Sequence, residues 1–437
     1  MKVPRRRAWT AHKNIWVVLL GTILLAGALE GAARLARLPL PDIGDLFLIW
    51  STTSQRVFTS TGSRVRTQAE LVALSNPLME FAARPAPGAT RIICVGDSTT
   101  AGWPVHPRGS YPSWLRAMLP DLLPGRSFEV INAGFHGFDS FRAEDAAAQI
   151  LAFHPDLIVW RAGYNDYQMF AARHLPTRAE AAALSARLWL TQHSRFYNLL
   201  RWLCGVRSDK VPGVPWLKPL TPAELEALAA DYRKNITRTI AQARNAGVPI
   251  ILLDLPYAAA FDPDSGALQS FPRLAHILRT LAQEEKIPFA ALQDQLPVRL
   301  FIDNVHLDSE GYRLTALALC RTLSEHGLLA PRAQWRWGRL RPARAYAHAL
   351  GLQDNEFLSH LHVGLALFYL QRGDASRAEA ELREAERIAP NADLVFQELS
   401  QRSNPRILAL LGAADRKLGF RDRADRANAS ARSASDN

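Results

Sequence analysis

The 437-residue sequence predicts an α/β chain built on a parallel sheet covered on both faces, with helical additions at both ends. Three observations carry this. Between about 88 and 330, five short apolar runs of strand length alternate with longer helical stretches. Those runs are apolar throughout rather than at every second residue, as strands buried on both faces require. Outside that stretch, the chain opens on a basic leader with an uncharged run behind it and closes on the spacing of helical hairpins.

Composition narrows the field. Apolar residues make up 48% and charged residues 21%, ordinary globular usage that excludes disorder and collagen-like repeats. The 3 cysteines, Cys94, Cys204 and Cys320, lie far apart without a C-x-x-C pair, which excludes a disulfide framework and a structural zinc ribbon or finger. The net charge of +11 is unevenly placed. Lys2, Arg5, Arg6, Arg7 and Lys13 stand in the leader, and Arg332, Arg336, Arg339, Arg341 and Arg344 stand in Pro331–Ala345, with no acid in either stretch. The rest of the chain is nearly balanced, so a nucleic-acid-binding surface is not expected.

Residues 1–37 read as a cytoplasmic basic leader and a signal-anchor helix. Ile15 to Leu29 is uncharged, and the run extends through Gly31, Ala32 and Ala33 toward the 20 or so residues of a bilayer span. Positive charges before it orient the N-terminus to the cytoplasm. The expectation is a single-pass protein of the cytoplasmic membrane with its body on the periplasmic or extracellular side. Ala26-Gly27-Ala28 keeps a cleaved signal peptide open, and a buried core helix is the third reading.

Residues 38–87 are mixed and Pro-rich, a tether that packs on the α/β region after it. Within 88–330 the strand-like runs are 90–96, 128–132, 156–162, 248–255 and 287–292. Thr221, Pro222 and Glu224 occupy the N-cap, N1 and N3 positions of a capping box, and Gly247 is placed to end that helix. The long connection at 167–220 is either a lid over a site at the strand ends or a surface insertion. Residues 331–345 form an Arg-rich linker. In 346–431, Leu365, Ala366, Tyr369, Gly373, Ala378, Leu382, Ala385 and Pro390 fall at the offsets of a 34-residue tetratricopeptide repeat. Leu411, Gly412, Gly419 and Ala424 resemble a weaker second copy, and Ala349 to Leu352 the tail of an earlier one. Such a region is expected to bind a protein partner separably from catalysis. Residues 432–437 are expected to be a disordered tail.

For chemistry, H-E-x-x-H, the P-loop, G-x-G-x-x-G and the G-x-S-x-G elbow are all missing. Gly96-Asp97-Ser98 follows the first strand instead. A serine there, entering a helix, exposes its hydroxyl in the crevice at the strand ends, and its N–H belongs to a helix N-terminus. A serine nucleophile needs a base held by a carboxylate. His306 has Asp303 three residues before it, on one loop. Gly134 ends the second strand, where its N–H can approach a substrate, and Asn165 in Gly163-Tyr164-Asn165-Asp166 ends the third with a side-chain donor. Taken singly, each block also suits an ordinary turn or helix cap.

The four blocks in this order resemble the SGNH hydrolase superfamily, also called GDSL esterases and lipases, over roughly residues 88–330. Thr99 departs from the Leu of the family's name. The resemblance implies a flavodoxin-like, doubly wound five-stranded sheet. It also implies a Ser98–His306–Asp303 triad, an oxyanion hole of Ser98, Gly134 and Asn165, and no metal or organic cofactor. The expected activity is an esterase acting on an acyl-ester substrate, such as an acetylated carbohydrate of the envelope. An O-acyltransferase uses the same triad when water is excluded. A third expectation is an assembly scaffold using the helical repeats with little catalysis.

Overall fold

The computed structural model describes residues 6–35, 53–68, 71, 78–174, 178–204, 219–261, 266–371 and 374–389. Gly373, Pro390, the second repeat copy, the tail and part of the leader lie outside the described residues. In chain order the elements are α1 (Arg6–Leu35), β1 (Phe58–Thr61), β2 (Arg64–Thr67), β3 (Glu80–Ala82), β4 (Ala89–Gly96), α2 (Ser98–Ala101), α3 (Tyr111–Leu122), β5 (Ser127–Gly134), α4 (Ser140–Ile150), β6 (Leu157–Arg161) and α5 (Asp166–Arg173). There follow α6 (Arg178–His193), α7 (Arg195–Leu203), α8 (Pro222–Asn245), β7 (Ile250–Leu253), α9 (Phe271–Glu284), β8 (Phe289–Ala290), α10 (Ser309–Glu325), α11 (Ala343–Ala349), α12 (Asn355–Gln371) and α13 (Ala375–Ile388). They form two compact units, one holding α1, α6 and α7, the other holding the strands and the remaining helices.

In the first unit the uncharged run is helical, and α1 is 30 residues long. Its C-terminal end is tied to protein. The Glu30 carboxylate accepts from Ser194 Oγ (2.8 Å) and from the backbone N–H of Arg195 and Phe196 (3.1 Å each), capping the start of α7. Arg34 Nε donates to Glu30 (2.7 Å), and its Nη2 donates to the His193 carbonyl (2.8 Å). Among the described residues, no helix is long and apolar enough to cross a membrane. Fifteen uncharged residues rise only about 22 Å, and the continuation expected through Ala33 brings in the capping carboxylate of Glu30.

The second unit is organised by a five-stranded parallel sheet of order β5-β4-β6-β7-β8. The chain starts inside the sheet, steps to one edge, then crosses back to build the other side. All five expected runs carry strands, the last reduced to Phe289–Ala290. Both faces are covered, which is why the runs are continuously apolar. Ile93, Val95, Ile158, Trp160 and Leu252 pack with α4, α8 and α9, whereas Ile92, Cys94, Val159, Ile251 and Leu253 pack with α3 and α10. The α8 capping box forms as its sequence predicts, with Thr221 N and Oγ1 both donating to Glu224 (2.7 Å).

Within the tether, β1, β2 and β3 make a small antiparallel sheet whose Val57, Phe58 and Val65 join the first face's core. On the other face, Trp335 and Tyr346 of the Arg-rich stretch and its continuation, with Leu352 and Phe357 farther on, complete the core over α3. Arg341 Nε and Tyr346 Oη both donate to Asp121 Oδ2 (2.7 Å each), so this segment is seated on the α/β body rather than strung between modules. Beyond it, α12 and α13 form a helical hairpin with Ala378, Leu382 and Ala385 buried in its seam.

Candidate active site

Ser98 opens α2 at the C-terminal end of β4, where the strand's carbonyls run out and the first helical amides begin. Asp97 is the N-cap, its Oδ1 accepting from Thr99 N (2.9 Å) and Thr99 Oγ1 (2.6 Å). Thr99 therefore braces the turn that presents Ser98, a contact its usual replacement by leucine would lack. Asp97 is fully buried, and burial pushes its carboxyl up against the opposing pull of Thr99, Arg161 and His306. Arg161, the last residue of β6, is equally buried. Burial works against its guanidinium, but Tyr164 and Asp97 hold it above its ordinary value. A positive charge thus sits beneath the nucleophile turn, a feature masked in the sequence because Arg161 ends an apolar run.

The loop before α10 brings His306 to the serine. Ser98 Oγ lies 2.8 Å from His306 Nε2, and His306 Nδ1 lies 2.9 Å from Asp303 Oδ2. Asp303 Oδ1 accepts from the N–H of Val305 (2.9 Å) and His306 (2.7 Å), so the loop's own backbone fixes the carboxylate. Ile302 N donates to the His306 carbonyl (2.8 Å), closing the turn. With Asp303 acceptor-only, Nδ1 carries the proton and Nε2 is left to accept from Ser98.

Asn165 caps α5 by position, yet its side chain makes no capping hydrogen bond. Its Nδ2 donates to the Phe138 carbonyl (2.8 Å), and the other amide hydrogen has no acceptor among the described residues. Behind it, Asp166 is buried and accepts from Ser140 N (2.8 Å) and Ser140 Oγ. Burial first, then the neighbouring Asp139, pushes its carboxyl up to about 8.

Gly134 stands differently from the expectation. The Gly134 N–H donates to Asn132 Oδ1 (3.0 Å), while Asn132 Nδ2 reaches Ala101 O (3.3 Å) and Ser110 Oγ (3.2 Å). The pleat explains this. Phe135 N donates inward to Gly96 O (3.0 Å), so the amide before it points off the free edge of β5 and is taken by Asn132. Gly134 serves close packing instead, since a Cβ there would lie 2.2 Å from Ala101 N. In the turn beyond, Gly137 has φ 74° and its N–H makes no hydrogen bond to the described residues. It sits beside Phe138, whose carbonyl holds Asn165, which makes Gly137 N–H a candidate donor of this loop. Sequence reading missed it because the glycine that ends a strand is more conspicuous than one three residues on.

The family model described as "GDSL-like Lipase/Acylhydrolase family" matches residues 94–314, just over half of the chain. No curated protein matches it. Among solved structures it is similar to a putative acylhydrolase from Bacteroides fragilis, with 18% identity, 56% of this chain and 90% of that one covered, and a TM-score of 0.35. A lipase/acylhydrolase from Enterococcus faecalis aligns at 18% identity over 54% of this chain and 96% of that one, with a TM-score of 0.34. A catalytic mutant of an acetylxylan esterase from Geobacillus stearothermophilus aligns at 19% identity over 54% and 94%, with a TM-score of 0.33.

Proposed function

The chain belongs to the GDSL-like lipase/acylhydrolase family and is an ester hydrolase, and we propose that it works through Ser98, His306 and Asp303 on an acylated carbohydrate of the cell envelope. The observation that carries the mechanism is the continuous relay from Ser98 Oγ through both His306 nitrogens to Asp303. Ser98 Oγ attacks the ester carbonyl carbon as its proton passes to His306 Nε2. Asp303 holds the imidazolium through Nδ1–H and keeps it in the useful tautomer. Ser98 N–H, the unengaged Asn165 amide hydrogen and Gly137 N–H face the developing oxyanion. His306 returns the proton to the leaving alkoxide; water then attacks the acyl-Ser98 ester under the same base and regenerates the serine.

The carbohydrate reading is supported by Trp103 and His136, half-buried rings 4.9 Å apart, one just past the nucleophile turn and the other in the Gly137 loop. The two rings meet edge to face at 63°, a half-buried aromatic corner against which the C–H groups of a sugar can pack. Membrane attachment through α1 is supported by Val17, Leu20, Leu24 and Leu25, each 59–70% exposed. Co-sedimentation of the full chain with lipid vesicles tests this attachment.

Ser98→Ala tests the mechanism. Turnover of aryl acetates and acetylated oligosaccharides should fall by about 10⁴-fold or more, and a fluorophosphonate probe should label Ser98 in the wild type alone. Full activity in the variant, or labelling at another serine, overturns the assignment.

A further inference from the structure

Helix α12 lies outside residues 94–314, yet one of its faces is laid along the site. Phe357, His360, Gly364 and Phe368 recur at intervals of three, four and four residues, which places them on a single stripe of the helix. That stripe follows the loop from Trp103 to Ser110, the loop that leaves the nucleophile turn and whose Trp103 N donates to Ser98 O (3.0 Å). The Phe357 ring lies 6.1 Å from that of His106, and His360 stacks on His106 at 5.8 Å with 23° between the planes. Gly364 passes so close that a Cβ would lie 2.8 Å from the Pro104 carbonyl oxygen. At the end of the stripe, Phe368 is 1% exposed, and its ring stands 6.4 Å from the His306 imidazole at 87°.

We infer that α12 is a wall of the catalytic site and that Phe368 is a positioning residue for His306. The hairpin therefore completes the enzyme, in place of the separable partner-binding role its repeat-like spacing suggests. The physical reason is rotational. Asp303 touches the His306 ring at Nδ1 only, and a ring held there and at Cβ can still tilt and carry Nε2 off line. An aromatic ring packed edge-to-face against it removes this freedom and keeps Nε2 on Ser98 Oγ. The small residue at 364 lets α12 come near enough for Phe368 to reach.

This inference rests on the esterase reading, and the test separates the two. Full-length wild type, Ser98→Ala, Phe368→Ala and Phe368→Tyr are compared for aryl acetate hydrolysis and for both the rate and the final stoichiometry of fluorophosphonate labelling. Phe368→Ala should lower kcat by about 10–100-fold with KM little changed, and slow labelling in parallel, while the final stoichiometry stays that of the wild type. Phe368→Tyr, which keeps the ring, should recover most of the rate. Unchanged kcat in Phe368→Ala, or a reduced stoichiometry with an unchanged rate per labelled site, overturns the positioning role and leaves the esterase reading standing. If Phe368→Ala yields no folded protein, Phe368→Leu is measured in the same way and must show the same separation of rate from stoichiometry. A wild type that neither hydrolyses esters nor labels at Ser98 overturns both.

Discussion

Two loops meet at Ser98 and are built in opposite ways. In the Asp303–His306 loop the hydrogen bonds are local: one carboxylate accepts two amides from its own turn and, with its second oxygen, holds the imidazole three residues on. The Phe135–Asp139 loop owes its geometry to distant partners. β5 pairs with β4, Asn132 takes the Gly134 amide, and Asn165, from the end of another strand, holds the Phe138 carbonyl. Side-chain roles survive when a short motif is read by itself. Backbone roles do not, because the direction of an N–H is set by the pairing of the whole strand.

Three substitutions test that contrast, in descending order of effect. Asn165→Ala should lower kcat by about 10²–10³-fold in a folded protein, the usual loss for one oxyanion donor. Near-normal kcat would return Asn165 to holding the Phe138 carbonyl, and the second loop would then contribute architecture alone. Asn132→Ala should leave the Gly134 N–H without its acceptor and lower stability by about 1–3 kcal/mol, with kcat nearly preserved. Urea melts and steady-state kinetics on one preparation decide it; a large kcat loss at unchanged stability would mean that the Asn132–Gly134 pair belongs to the chemistry after all.

The smallest effect on turnover concerns Asp166, the neighbour of Asn165, whose carboxylate accepts from Ser140. Its carboxyl is raised from about 4 to about 8, so between those pH values the folded chain keeps a proton that the unfolded chain has released. Unfolding free energy from this group is therefore greatest below about pH 4 and falls as pH rises through about 8. Asp166→Asn should flatten that decline in denaturant melts across pH 5–8; an unchanged slope would remove Asp166 as its source.

Much of the architecture was legible because its signals are short-ranged. The α8 capping box needs only Thr221 and Glu224, and five apolar runs announce a sheet covered on both faces. Ser98, Asp303, His306 and Asn165 were singled out by residue type and spacing, and the first three lie in one chain of hydrogen bonds. The spacing of Leu365, Ala366 and Tyr369 also announced a hairpin, and α12 and α13 form one. The stripe of Phe357, His360, Gly364 and Phe368 on the same helix gave no comparable signal, since aromatic and small residues at helical spacing look the same whatever they pack against.

By itself, then, the amino-acid sequence determined the strands, the caps and the Asp303–His306 turn, each of which is decided by residues within a few positions of one another. Tertiary structure alone decided the other features. It tied the Gly134 N–H to Asn132, buried the Arg161 charge beside Asp97, and brought Phe368 against a histidine 62 positions earlier in the chain. The reason is one of range. A hydrogen bond within a turn is fixed by the backbone angles of three or four residues. The neighbour across a sheet edge or a helix face is fixed only when every intervening element has found its place.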